Sequence, residues 1–441
     1  MSTLHSRLSS RIAILRGFDA RRVLDYDFRL GAGNDIANAS RRGLRYSSTP
    51  TITYTGGDNG TYFDQNGVLQ TSGTDIPRFD HNPVTGAPLG LLIEEARENL
   101  GLGSEDASDN SNELRVTVST NTAVAPDGNT TMDSLLETAD TNTHQLNLDI
   151  LTVSSSTLYT ITYSFKKLNN DYVELSWIEN GVSSLTPHIV FRFSTEAVVA
   201  SSGITSSFIQ NIGNGIYRIG FSATTESDTT GMLPIILTNT DGSSQQSYAG
   251  NTSNGVYVWG KQIEAGAFPT SYLKTVGAAV TRSADVATIA LSDVPGFNQS
   301  AGTILIEAVI PSINAASGQA LVVIDDGGLT DRIRINQTAS ADTVQIATTN
   351  SSGNNGSSQL TGIVAGTAFK IAGAYAQDDV VVAFDGTLGT ADTTTDLPTT
   401  DALTTLRIGR DSAGDATNGH IARLVYWNVR QTDEFLQDVT A

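Results

Sequence analysis

The chain has 441 residues, 39% of them hydrophobic, with 26 Lys and Arg against 46 Asp and Glu and no cysteine. A formal charge of −20 opposes nucleic-acid binding, because phosphate contacts need basic side chains. The absence of cysteine excludes disulfides, thiol chemistry, Cys-ligated zinc and iron–sulfur sites. The length predicts two or three domains. Thr, Ser, Asn and Gly fill the space left by apolar residues, and they favour turns and exposed strand faces over helices.

No run approaches the roughly 20 apolar residues of a membrane span. Residues 1–20 lack the apolar core of a signal peptide. The expectation is a protein made in the cytoplasm that makes no membrane contact. The charge is uneven: residues 1–46 hold nine Arg and four Asp, while the other 395 carry 17 basic and 42 acidic residues. A basic end on an acidic body predicts different partners for the two ends.

Residues 3–22 form the one helix candidate. Leu4, Leu8, Ile12 and Leu15 recur at helical spacing, with Arg7 and Arg11 off that stripe. Ser2 or Thr3 suits the N-cap and Gly17 the end. Such a helix either docks on its own domain or packs on a sister subunit or acidic partner, so residues 1–46 read as an attachment segment. A short strand is expected at 23–30, and residues 47–111 read as a connector with short strands near 51–54, 61–63 and 68–71 and turns at 56–60 and 64–67. From 112 to 275 strand signals become regular, at 114–119, 145–153, 158–165, 172–178, 189–193, 215–222, 233–237 and 255–260. Trp177 and Trp259 fall inside these strands and read as core. Residues 276–296 read as a linker. A second series follows in 297–441, at 303–310, 320–325, 332–336, 343–348, 369–375, 379–384, 405–409 and 420–427, with a hairpin turn at Asp385-Gly386. The predicted fold is all-β: two antiparallel β-sandwich or jelly-roll domains behind a short N-terminal helix and an extended connector.

Several ordered motifs carry a family likeness. Gly-Thr-Tyr-Phe-Asp stands at 60–64, Gly-Val-Leu-Gln-Thr at 67–71, Ile-Pro-Arg-Phe-Asp at 76–80 and Gly-Leu-Leu-Ile-Glu-Glu-Ala-Arg at 90–97. Ala-Pro-Asp-Gly-Asn-Thr-Thr follows at 125–131. Val-Trp-Gly-Lys-Gln-Ile-Glu-Ala-Gly-Ala-Phe-Pro-Thr-Ser-Tyr closes the series at 258–272, before Thr281-Arg282 and Ala284-Asp285. Over roughly residues 50–290 this resembles the head-spike fibre domain family of tailed bacteriophages, also met in tail-fibre and minor structural proteins. The chain departs from that pattern after Leu100, where Gly101-Leu-Gly103 stands in place of further Leu and an aromatic. The middle domain is similar to carbohydrate-binding jelly rolls. The C-terminal domain resembles a laminin-G or concanavalin-like sandwich through its strand patterns at 303–307, 406–409 and 419–427.

The resemblance implies a virion location, capsid or tail proteins as partners, a homo-oligomer (a trimer is the expectation) and host cell-surface polysaccharide as ligand. Capsid decoration and polysaccharide depolymerisation are the alternatives. A glycosidase needs two carboxylates about 5–10 Å apart. The nearest approach to the concanavalin-type Glu-x-Asp-x-x-Glu string is Glu226-Ser-Asp228, which ends in Gly231. Glu94-Glu95 and Asp378-Asp379 are neighbours that would point to opposite strand faces, and read as solvated surface. His5, His81, His144, His188 and His420 are scattered, with no nucleophile elbow or P-loop nearby. The expectation is therefore no enzyme and no organic cofactor. One acidic turn, Asp325, Asp326 and Asp331 around Gly327-Gly328, reads either as a Ca²⁺ loop or as a plain loop. For a glycan, Tyr172, Tyr217, Tyr248 and Tyr257 could stack on sugar faces, while Arg192 and Arg218 could bond hydroxyls.

Overall fold

A computed structural model describes residues 22–30, 50–109, 111–179, 187–226, 230–240, 246–313, 318–340, 342–353, 355–398 and 402–441. The stripe of Leu4, Leu8, Ile12 and Leu15 with Arg7 and Arg11 lies outside these residues. Arg22, expected as the last helical residue, instead opens the strand Arg22–Asp27.

The chain is all-β and forms two sandwiches. In the middle one, a six-stranded antiparallel sheet runs in the order Ser206–Asn211, Ile216–Thr224, Leu158–Lys167, Gly255–Ala265, Thr130–Glu137 and Val116–Val124. The facing sheet runs Ala197–Ser202, His188–Arg192, Tyr172–Ser176, Thr230–Thr238, His144–Thr152 and Ser111–Leu114, with Ile178–Glu179 also on Thr230–Thr238. Alternation builds the core between them: Tyr159, Ile161, Tyr163 and Phe165 meet Val173, Leu175, Leu233, Ile235 and Leu237. Trp177 and Trp259 are both buried. A Cβ on Gly231 would lie 2.1 Å from the Trp177 ring, so no glutamate fits where a concanavalin-type carboxylate would stand.

The six-stranded sheet is covered on its outer face as well. Residues 266–276 cross it as a strap. The strap is held by polar side chains that alternate with the core residues. Thr160 Oγ1 donates to Gly266 O at 2.8 Å, Ser222 Oγ to Ala267 O at 2.9 Å, and Leu273 N to Gln262 Oε1 at 2.7 Å. These strands are thus buried on both faces, one apolar and one polar but satisfied.

In the C-terminal sandwich, one sheet runs Thr387–Leu388, Asp379–Phe384, Ala368–Ala376, Ala301–Val309, Gly419–Trp427, Pro88–Ile93 and Phe79–His81, and Arg22–Asp27 also pairs with Gly419–Trp427. The other runs Thr53–Thr55, Val286–Ala290, Thr405–Ile408, Gln319–Asp325, Arg332–Gln337, Thr343–Thr349 and Gly356–Thr361. Val23, Leu24, Tyr26, Ile52, Tyr54, Phe79, Leu91, Ala287 and Ile289 all join its core. The stretches read as attachment segment, connector and linker therefore supply strands to this sandwich. Phe79–His81 pairs with Pro88–Ile93 close by, but the others pair with residues far along the chain, so their burial has no local signature. The polar end after Trp427 holds an α-helix, Asp433–Thr440, capped by Thr432 and seated by the fully buried Leu436.

Candidate functional site

Four elements converge between the sandwiches, and the ordered motifs supply nearly all their side chains. Arg78 and Arg282 are fully buried, as is Asp285, and Glu94 is nearly so. Arg78 Nη1 reaches Glu94 Oε2 at 2.7 Å and Nη2 pairs with Asp285. Arg282 Nη1 stands 3.2 Å from Glu94 Oε2, and its Nη2 donates to Glu95 O at 2.6 Å. Tyr54 Oη donates to Asp285. From the strap, Ser271 N and Oγ donate to Glu94 at 2.8 and 2.7 Å. Burial alone would raise the Glu94 carboxyl, but Arg282, Arg78 and Ser271 outweigh it and hold it down at about 2. Glu94, expected on a solvated surface, is instead the centre of a buried network. Gly57 and Gly60 let the chain pass close to it: Cβ atoms there would lie 2.6 Å from Asp285 Oδ1 and from Arg282 Cδ.

The predicted glycan residues scatter. Tyr172 and Arg192 pair across adjacent strands on the outer face of the seven-stranded sheet, with the guanidinium 5.1 Å from the ring centroid. Asp171 orients Arg192 through Nε at 3.0 Å. Tyr217 lies in the core beside Phe191 and Phe193. Arg218 points the other way from the same strand and lies under the strap, its Nη1 donating to Thr270 O at 2.8 Å. Both contacts are internal, which corrects the expectation for these two residues. The Tyr248 hydroxyl donates to Glu137 Oε1 at 2.6 Å, and burial, then Glu137, pushes its pKa up. Tyr257 is half-buried against Met132, Trp259 and Tyr272. Sequence reasoning missed a polar row on the same face, four residues along the strand from Tyr172. Register aligns Ser176 with His188, and Asn147 with Pro234 and Asn112, across strands of that face, with Ser176 buried and donating to Glu174 Oε1 at 2.9 Å. Period-2 alternation with the core residues marks Ser176 and Asn147, but only the strand order brings the row together.

The acidic turn does not converge on a cation. Asp325 Oδ2 accepts from Arg407 Nε at 2.6 Å and Oδ1 from Gly327 N at 2.9 Å. Asp326 Oδ1 accepts from Gly328 N at 2.8 Å, and Asp331 Oδ1 from Ser351 N at 3.2 Å. Among the described residues no three His, Asp or Glu side chains gather as metal ligands. Asp379 pairs with Arg430 at 2.9 Å, and His420 with Asp80 at 2.8 Å, while His144 Nδ1 meets Arg115 O at 2.7 Å. These groups sit in different elements and form no nucleophile–base pair.

No family model and no curated protein matches the chain. Among solved structures it is similar to the CBM40 module of a Ruminococcus gnavus IT-sialidase bound to α2,3-sialyllactose. That likeness has 17% identity over 33% of this chain and 84% of the other, with a TM-score of 0.29. It is also similar to a Trypanosoma rangeli sialidase in complex with the inhibitor DANA, at 10% identity over 70% of this chain and 60% of that one, with a TM-score of 0.28. Domains LG4-5 of the mouse laminin α1 chain match at 10% identity over 66% and 85%, with a TM-score of 0.21. Likenesses this distant carry no functional argument.

Proposed function

We propose that the chain is a non-enzymatic structural appendage of a tailed-phage virion, a head spike or fibre or a tail fibre. Its N-terminal segment anchors it to capsid or tail proteins, it assembles with copies of itself, and its β domains bind host surface polysaccharide. The observation that carries the binding part is the outer face of the seven-stranded sheet. There Tyr172, with the Arg192 guanidinium over its ring, shares the sheet face with His188, Asn147 and Asn112, whose row lies four residues, about 13 Å, further along the strands. An aromatic ring on the same face as Asn and His side chains offers a stacking surface with directed donors and acceptors, which is what an oligosaccharide with several hydroxyls needs. The virion part rests on the ordered motifs at 60–97, 125–131 and 258–285.

The test is co-sedimentation of the full chain with host cells and with their purified polysaccharide. Tyr172→Ala and Asn147→Ala should each weaken binding about tenfold, worth about 1.4 kcal/mol. Unchanged binding in both would remove this face from the proposal. Release of reducing sugar would make the protein a depolymerase, and labelling on virions that bridges capsomers would make it decoration.

A further inference from the structure

The C-terminal sandwich carries four arginines on one outer face. On Arg332–Gln337 the core residues Ile333 and Ile335 alternate with Arg332 and Arg334, which therefore leave the opposite face. Val323 pairs with Arg334 on one side and with Arg407 on the other, so these two side chains share a row. Arg410 follows on the loop after Arg407. Two of the four are engaged: Arg407 with Asp325 at 2.6 Å, and Arg332 with Asp411 at 3.6 Å.

Arg334 and Arg410 make no hydrogen bond or ion pair among the described residues. Nε of Arg332 and Arg334 and Nη1 of Arg410 are shielded from solvent without a partner. Asp411 cannot serve both, because its Oδ1 already accepts from the backbone N–H groups of Ala413, Gly414 and Asp415 at 2.9, 2.9 and 3.0 Å. Burial first, then the charge of Arg332, lowers the Arg334 pKa, against the weaker pull of Asp411 and Asp415. A cavity of about 150 Å³ is lined by Arg407, Arg410, Ser412, Val286, Ala287 and Asp411, the last held by three backbone N–H groups and near Arg332. It has room for a carboxylate or phosphate group and the atoms bonded to it.

We propose that this face is an anion site for the acidic units of a polysaccharide. The shared chemistry is an oxyanion that takes forked donors from guanidinium groups. It comes from a uronic-acid carboxylate or from a backbone phosphodiester. A chain of net charge −20 repels such polymers, so acceptance of one needs local guanidinium donors free of ion pairs, as Arg334 and Arg410 are among the described residues. The proposal rests on the reading of the chain as a polysaccharide binder, and adds the class of polysaccharide.

Titration calorimetry on the full chain tests it with polygalacturonate, teichoic acid and neutral dextran at fixed ionic strength. The acidic polymer that binds identifies the source of the anion. Arg334→Gln and Arg410→Gln should each weaken it at least tenfold with an unchanged thermal midpoint, and added salt should weaken it further. Arg334→Lys should fall between the two, keeping the charge without the fork. Dextran bound as well as the acidic polymers, neither acidic polymer bound, or equal binding by wild type and variants would each overturn the site. If host cells are then still bound in a Tyr172-dependent way, the broader reading stands without it. If no host cell and no polysaccharide is bound, that reading falls too.

Discussion

Two groups of arginines in this chain differ in how their charges are met. Arg78 and Arg282 lie between the sandwiches, without solvent, against Glu94 and Asp285. Arg334 and Arg410 lie half-buried on an outer face and make no ion pair or hydrogen bond among the described residues, although Asp411 and Asp415 attract Arg334 from further away. Burial does not separate structure from function here. Pairing does. A buried guanidinium with carboxylates, a Ser hydroxyl and a carbonyl around it is a fastening between parts of the chain. A shielded one with no carboxylate in ion-pair reach is a donor that can take an acceptor from elsewhere.

The largest effect should come from the fastening. Arg78→Ala strands Glu94 and Asp285 in a buried site, which should cost about 3–5 kcal/mol. Urea denaturation measures it, and the two sandwiches should then unfold in separate steps. A loss below about 1 kcal/mol would mean that water replaces Arg78 and that the junction is not a fastening. Acid should loosen the same network. The Glu94 carboxyl is at about 2 in the folded chain against an ordinary 4.5, so folding favours its ionised form. That contribution is whole above about pH 4.5 and is lost as pH falls toward 2, an effect on the order of 3 kcal/mol. Glu94→Gln should flatten the stability–pH curve in that window. Away from both groups, Thr432→Ala removes the cap on Asp433–Thr440 and should cost about 1 kcal/mol, read as a small shift in the urea midpoint.

The strand pattern of both sandwiches was legible because core residues alternate with polar ones, as in residues 158–165 and 332–336. Pairing over long distance was not. Ile52, Phe79 and Ile289 each sit in a run too short to announce a core strand, yet all three close the C-terminal sandwich. The helix at Asp433–Thr440 was hidden for a similar reason: eight residues give barely two turns of periodicity. The motif residues were visible as motifs, but not as a junction. Arg78, Glu94, Ser271 and Asp285 are spread over more than 200 positions, and only the fold shows that they touch. Among the glycan candidates, composition marked the aromatic and basic side chains but not their direction. Tyr217 and Arg218 are adjacent, so one strand sends them to opposite faces, and both faces are buried.

The smallest expected effect is the most direct test of the contrast. Arg334→Met keeps a long side chain over the sheet and removes only the charged end. If the guanidinium had a partner, its loss would cost stability, as at Arg78. With none, the substitution relieves the desolvation of an unmatched charge, so stability should stay within about 0.5 kcal/mol of the parent or rise slightly. Urea midpoints at low and high salt separate the cases. At low salt the parent should be the weaker of the two, because Arg332 repels Arg334, and the difference should shrink as salt screens that repulsion. A loss of 2 kcal/mol or more would instead mean that Arg334 holds the sheet together, and the distinction between paired and waiting arginines would not hold for this face.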